Sequence, residues 1–201
     1  YVSEYLPSDK RARVLGVLEL FEGIPTVVFG YFALLFVTPL LQKVIPGLSL
    51  FNPLSAGLVM GFAILPYVSN VAADAMQSVP RSIREAAYAL GARPYEVALK
   101  VVLPAALSGV IAAIILAASR AIGETMIVAI AAGQRPTLTL DPRETIATMT
   151  SYIVQAATGD QPTGSTAYYA LFAVGFTLFL LTLALNVLAQ YIVERYRERY
   201  E

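Results

Sequence analysis

Apolar and polar positions along this chain alternate on the scale of whole helices, not of single residues. Residues 14–41 are apolar apart from Glu19 and Glu22, and at about 1.5 Å per residue that run exceeds the ~30 Å of a bilayer's hydrocarbon. It predicts a first span. Gly23 and Pro25 predict a break within it, which lipid tolerates only where protein or water satisfies the freed backbone groups. Two readings stand for Glu22: a contribution to a gate, or, more simply, a hydrogen bond to a freed backbone group near Pro25. Residues 42–53, with Pro46 and Gly47, predict a turn-rich connector, and the uncharged run 54–73 predicts a second span that forms a hairpin with the first. A polar stretch, 74–100, precedes a third apolar run, 105–133, interrupted by Arg120 and Glu124. After a long polar connector, 134–165, the uncharged run 167–193 predicts a fourth span, closed by Glu194-Arg195-Tyr196-Arg197-Glu198-Arg199.

Composition sharpens this picture. The chain is 57% apolar and 14% charged, against about 25% charged in ordinary soluble domains, so the expected class is an all-α, polytopic transmembrane helical bundle. With no Cys and no His, zinc sites, thiol redox and Ser/His/Asp triads are excluded, and no cofactor or metal is expected. The net charge of zero hides a segregation of basic residues. Lys10, Arg11, Arg13, Arg81, Arg84, Arg93, Lys100, Arg195, Arg197 and Arg199 fall on one side of the predicted spans, against Lys43, Arg135 and Arg143 on the other. Positive residues mark the cytoplasmic side, which makes the 74–100 loop and the C-terminus cytoplasmic. Tyr1, Tyr5, Tyr67, Tyr168, Tyr169, Tyr191 and Tyr196 stand near span ends as interfacial aromatics. This charge pattern belongs to a membrane and gives nucleic acid no role.

The basic-side loop has a grammar of its own. Ser82 followed by Glu85 is a capping-box signature for a short helix, which Gly91 can end with a left-handed residue, and Pro94 suits the first turn of a second helix running toward Pro104. Glu85-Ala86-Ala87 stands three residues before Gly91, and nine further residues lead to Val101 and then Leu103-Pro104. That spacing resembles the EAA loop of ATP-binding-cassette importer permeases, with Val101 where the family has isoleucine. The resemblance implies the type I importer permease (MetI-like) fold. It also implies a coupling loop over 77–104, in which Glu85, Ala86, Ala87, Gly91, Leu103 and Pro104 carry the closure of a cytoplasmic ATPase dimer to the spans. A surface helical hairpin is the plainer alternative.

Arg120 lies 16 residues past Pro104, about 24 Å along a helix starting there, where an arginine costs about 2.5–3.5 kcal/mol even on the lenient insertion scale. Glu124, four residues on, is expected on the same helix face. Arg120-Ala121-Ile122-Gly123-Glu124-Thr125-Met126 looks like the R-A-x-G-E-T-M segment of Pst phosphate importer permeases, especially the C-type subunit. Ser3-Glu4-Tyr5 and residues 19–30 and 169–186 extend that resemblance over nearly the whole chain. A guanidinium offers bidentate donors to phosphate oxygens. A carboxylate accepts a hydrogen bond from the P–OH of a protonated phosphate, whereas sulfate has no proton to give. Arg120 is thus expected to attract and Glu124 to discriminate, with Thr125 adding a hydroxyl. The competing readings are an internal ion pair, and a threonine packed on helix backbone.

The resemblance implies a second homologous permease subunit, a pair of ATPase subunits, an extracytoplasmic phosphate-binding protein and an inner-membrane location, with further N-terminal helices upstream of Tyr1. The chain has no G-x-x-x-x-G-K-[ST] loop and so is not expected to hydrolyse ATP. Part of the 134–165 connector is assigned to docking or an external gate, with a re-entrant packing helix as the equal alternative. Rival functions are import of molybdate, sulfate or phosphonate and, from a different class, a passive channel or an intramembrane enzyme.

Overall fold

The computed structural model describes residue 5, residues 8–159 and residues 162–196; Ser3, Glu4, Arg197 and Arg199 lie outside them. Among the described residues there is no strand, and the chain runs through α1 (Ser8–Glu22), α2 (Thr26–Gln42), α3 (Pro53–Gln77), α4 (Arg81–Ala89), α5 (Pro94–Ala105), α6 (Leu107–Ile122), α7 (Met126–Ala131), α8 (Met149–Thr158) and α9 (Thr166–Tyr196). The fold is an all-α membrane bundle. By length and apolar content, α3 and α9 can each cross a membrane, and four spans result only if the end of α1 with α2, and α5 with α6, each count as one bent span.

The break expected at Gly23 and Pro25 is present: α1 ends at Glu22, and Pro25 stands at the N-cap of the next helix. The third apolar run departs from expectation. It is not one helix, for the chain bends by 69° between α5 and α6 and opens again between Ile122 and Met126. Two of the prolines leave a further mark that the hydrophobic pattern does not show. One turn before Pro39 and one turn before Pro104 the helix widens to a π-turn, with Thr38 N–H donating to Ala33 O and Leu103 N–H to Ala98 O, each five residues back. A proline ring clashes with the carbonyl four residues before it and offers no N–H, and one extra residue in the turn accommodates both defects.

The chain forms two compact units. One takes Tyr1–Glu22, Leu65–Ala118 and Leu185–Glu201, and the other Gly23–Ile64 and Ser119–Ala184. In the first, Val79, Val97, Val102 and Ala106 are buried, and Met76, Ile83, Ala87 and Ala92 pack on them, so the 77–104 loop has its own core. In the second, Phe29 and Ala33 of α2 and Ala56 and Val59 of α3 close on Ile127, Val128 and Ala131 of α7. These cores are built from small side chains, which let helix backbones approach closely where lipid supplies no hydrophobic drive. α9 is apolar all round, and Phe172, Phe176, Phe179, Leu183 and Val187 are exposed along it, the signature of a helix whose surroundings are themselves apolar.

Connector 134–165 contains α8. Its helix begins only at Met149. Ahead of that helix the backbone is sewn to the α2–α3 turn: Ser49 N–H donates to Arg143 O, Leu54 N–H to Pro142 O, and Thr145 Oγ1 to Phe51 O. Asp141 takes a fork of hydrogen bonds from the Arg143 guanidinium, 2.9 Å from Nε and 2.6 Å from Nη2, and another from Arg143 N–H. The Arg143 side chain, and then its backbone N–H, lower the Asp141 pKa from 3.8 to about 2. A depressed carboxylate contributes stability that is complete above its unfolded pKa and fades as pH falls toward the folded one. The difference in thermal midpoint between the detergent-solubilised protein and Asp141→Asn should therefore stay constant down to about pH 5 and shrink progressively as pH falls through about 2.

Candidate functional site

The break at 123–125 carries two of the polar residues picked out by sequence, Glu124 and Thr125, and stands three residues past a third, Arg120. α6 ends at Ile122, with Arg120 in its last turn and exposed. Counted from Leu107, where α6 starts, Arg120 stands about 20 Å along the helix, and the 69° bend removes the straight path from Pro104. Glu124 is not on that helix. The expected placement of Arg120 and Glu124 on one helix face is overturned, because Gly123 and Glu124 leave the helix through N–H bonds to Ser119 O and Ala121 O.

Glu124 instead starts the next helix. Its Oε1 accepts from Met126 N–H at 3.1 Å and from Ile127 N–H at 3.3 Å, meeting two of the N–H groups that every helix start leaves open. Both of these bonds fall on that one oxygen, which leaves Oε2 outside the cap. Thr125 Oγ1 donates to Gly123 O at 3.2 Å, so its proton is committed to backbone. Glu124 O is held from elsewhere in the same unit: Thr150, in the first turn of α8 and 4% exposed, donates its hydroxyl to that carbonyl at 2.8 Å. Sequence reasoning missed Thr150. The only available signal was Thr148 and Ser151 at capping-box spacing, with a serine where the pattern favours Glu or Gln.

The 77–104 loop is the second candidate. It is two short helices joined by a tight turn, as expected, but the helix start is not. Pro80 stands at the N-cap of α4 and Ser82 lies inside the helix, so the Ser82/Glu85 capping box does not form. Gly91 has φ +81°, with Gly91 N–H donating to Tyr88 O and Ala92 N–H to Ala87 O. That pair of bonds is the glycine C-cap in its full form. Pro94 opens α5, where Glu96 accepts the Arg93 N–H at 3.1 Å and pairs with Lys100 at 3.1 Å. The first of these bonds, then Lys100, lowers the Glu96 pKa. Arg84 clamps the loop to the end of α3 by donating to Val79 O at 2.6 Å and Met76 O at 2.8 Å. With Ile83 and Ala87 turned to the core, Glu85, Ala86, Tyr88, Leu90 and Leu99 face outward. Leu90 is 89% exposed. Leu103 is half-buried and Pro104 exposed.

Glu22 Oε1 accepts from Asn70 Nδ2 at 3.2 Å, a side-chain contact between α1 and α3. Among the described residues no cluster of His, Cys, Asp and Glu could hold a metal ion.

Residues 8–198 match the family described as the binding-protein-dependent transport system inner membrane component. The chain belongs to that family. It is 31% identical over 97% of its length to the "Probable ABC transporter permease protein YqgH" of Bacillus subtilis (strain 168), covering 63% of that protein. It is 32% identical to the "Phosphate transport system permease protein PstC" of Xylella fastidiosa (strain 9a5c), over 97% of this chain and 65% of the relative. An archaeal "Probable phosphate transport system permease protein PstC", from Methanocaldococcus jannaschii, is 28% identical over 98% of this chain and 67% of its own length. The chain thus spans somewhat less than two thirds of the first two relatives. Membership in a family of inner-membrane transport components fits the bundle of apolar helices.

Proposed function

We propose that this permease is the translocation subunit of an ATP-driven phosphate importer. It works with a second homologous permease, a pair of cytoplasmic ATPase subunits and an extracytoplasmic phosphate-binding protein. Relatives named as phosphate transport permeases support the substrate. The observation that carries the reading is the break itself: an apolar run opens at 123–125, beside Arg120, and places an acidic side chain there. Irregular backbone at membrane depth is tolerated where it is buried in protein or lines a water-filled path. Arg120 supplies the charge and the forked donors for an oxyanion. Glu124 Oε2 supplies an acceptor for P–OH, and the helix start that Oε1 caps fixes where the acceptor points. The Thr125 hydroxyl, already donating to Gly123 O, can accept but not donate at the same time.

The permease has no chemistry of its own in this scheme. Glu85, Ala86 and Gly91, with the neighbouring Tyr88 and Leu90, form the surface that meets the ATPase, Ala87 holds that surface on the loop's own core, and Leu103-Pro104 ends the helix that passes the motion on. The basic side of the chain, carrying this loop and the C-terminus, is cytoplasmic.

The test is ATP-dependent phosphate uptake by the full-length permease, reconstituted in proteoliposomes with its ATPase and binding protein, with sulfate as competitor. Glu124→Gln separates the two duties of the side chain, since its amide oxygen can still cap α7 while the negative charge is gone. The complex should assemble normally, and the preference for phosphate over sulfate should fall by about 10-fold, the worth of one charged hydrogen bond. An unchanged preference would remove Glu124 from discrimination, and uptake of sulfate in place of phosphate by wild type would assign the path to another oxyanion.

A further inference from the structure

Glu124 is gripped at two points: its side chain caps α7, and its backbone carbonyl accepts from α8. The second grip is oriented. A carbonyl oxygen only accepts, so the single proton of Thr150 Oγ1 points to Glu124 O. The contact of 2.9 Å between the Thr148 and Thr150 hydroxyls must then run from Thr148 to Thr150. Thr148 is in turn fixed by the reciprocal cap, donating its N–H to Ser151 Oγ at 2.9 Å and accepting Ser151 N–H at 3.1 Å. Chained hydroxyls of this kind polarise one another in one direction. The connector helix therefore sets the attitude of the break across 26 residues of sequence.

We propose that Thr150 is the positioning residue of the 123–125 break: its hydroxyl holds the Glu124 backbone so that the carboxylate meets the oxyanion squarely. This rests on the reading of the break as part of the phosphate path. A purely structural Thr150 would do no more than satisfy a buried carbonyl, and its loss would lower the amount of assembled protein without changing how substrate is recognised.

Thr150→Val keeps the shape and removes the donor. In the reconstituted transporter it should raise the KM for phosphate by about 5- to 10-fold, with maximal uptake per assembled complex within about twofold of wild type, the effect of one lost hydrogen bond on an acceptor left open. Thr150→Ser should restore the wild-type KM. Should the valine variant fail to assemble, Thr150→Ala removes the donor without a methyl group against the carbonyl and reads the same quantity. Thr158→Val removes a hydroxyl from the same helix, one that donates to Val154 O, and should change nothing. A KM within about twofold of wild type in the variants lacking the hydroxyl, or a serine variant as impaired as they are, overturns the proposal.

A second readout does not depend on the substrate. The chain has no cysteine, and a Cβ at Gly123 meets nothing closer than Arg120 O at 3.6 Å, so Gly123→Cys offers a single thiol in the break. Its rate of modification by a methanethiosulfonate reagent should change by about threefold or more when Thr150→Val or Thr150→Ala is added, and return with Thr150→Ser. If wild type takes up no phosphate, the phosphate reading fails, and this rate alone decides the role of Thr150: an unchanged rate overturns it.

Discussion

Arg120→Ala should lower ATP-dependent phosphate uptake by at least about 100-fold, roughly 2.7 kcal/mol, while the permease still assembles with its ATPase. The magnitude separates the two roles open to this residue. As a basic group in the last turn of α6, Arg120 interacts favourably with the helix dipole, an effect of about 0.3–1 kcal/mol on stability. That effect is too small for a 100-fold loss, and it acts on the amount of folded protein, not on the rate per molecule. A guanidinium facing a desolvated oxyanion through two charged hydrogen bonds accounts for the larger figure. Arg120→Lys keeps the charge and loses the fork, so it should fall between, with about a 10-fold loss. Uptake is measured per assembled complex, with ATPase activity as the control for assembly. Normal uptake in Arg120→Ala would return the residue to the helix end as a structural group.

Much of the fold was legible because membrane helices announce themselves. The runs 54–73 and 167–193 need only length and the absence of charge, and Gly23 and Pro25 marked the break in 14–41 in advance. Gly91 was legible for a different reason: a tight turn between two short helices needs a left-handed residue, and φ +81° is found there. The third run misled because hydropathy does not register a helix end within an apolar stretch. Ala121-Ile122-Gly123 reads as a continuing span, and only the cap offered by Glu124 to Met126 and Ile127 ends one helix and begins the next. That same cap dissolves the i, i+4 argument for Arg120 and Glu124 while leaving both residues beside the break. Thr150 was illegible in principle, since its bond to Glu124 O spans 26 residues and involves a backbone atom that carries no sequence signal. Ser82 failed through competition: Pro80, already extended and without an N–H, takes the N-cap position and starts the helix earlier.

Gly133→Ala, one methyl group at the entrance to the connector, should cost about 2–5 kcal/mol, a large part of the 5–15 kcal/mol that stabilises a typical fold. Gly133 follows α7, is buried, and has φ +97°, a region that L side chains enter at a cost of about 1–2 kcal/mol. A Cβ there would collide with Thr145 Cγ2 and stand 3.1 Å from Phe51 Cβ. Thr145 cannot turn aside, because its Oγ1 donates to Phe51 O at 2.8 Å and its β-branched side chain is stiff at χ1. The expected result is a marked fall in the thermal midpoint of the detergent-solubilised permease and in its yield from membranes. Gly164→Ala supplies the control, for Gly164 has φ +86° but open space around its missing Cβ, so only the conformational part applies. The double change Gly133→Ala with Thr145→Ser removes the colliding methyl and keeps the hydroxyl on Phe51 O. It should recover the packing part, about 1–3 kcal/mol, and leave a residue close to the Gly164→Ala cost. If the double variant is no more stable than Gly133→Ala alone, the collision with Thr145 is not what makes glycine necessary at this position.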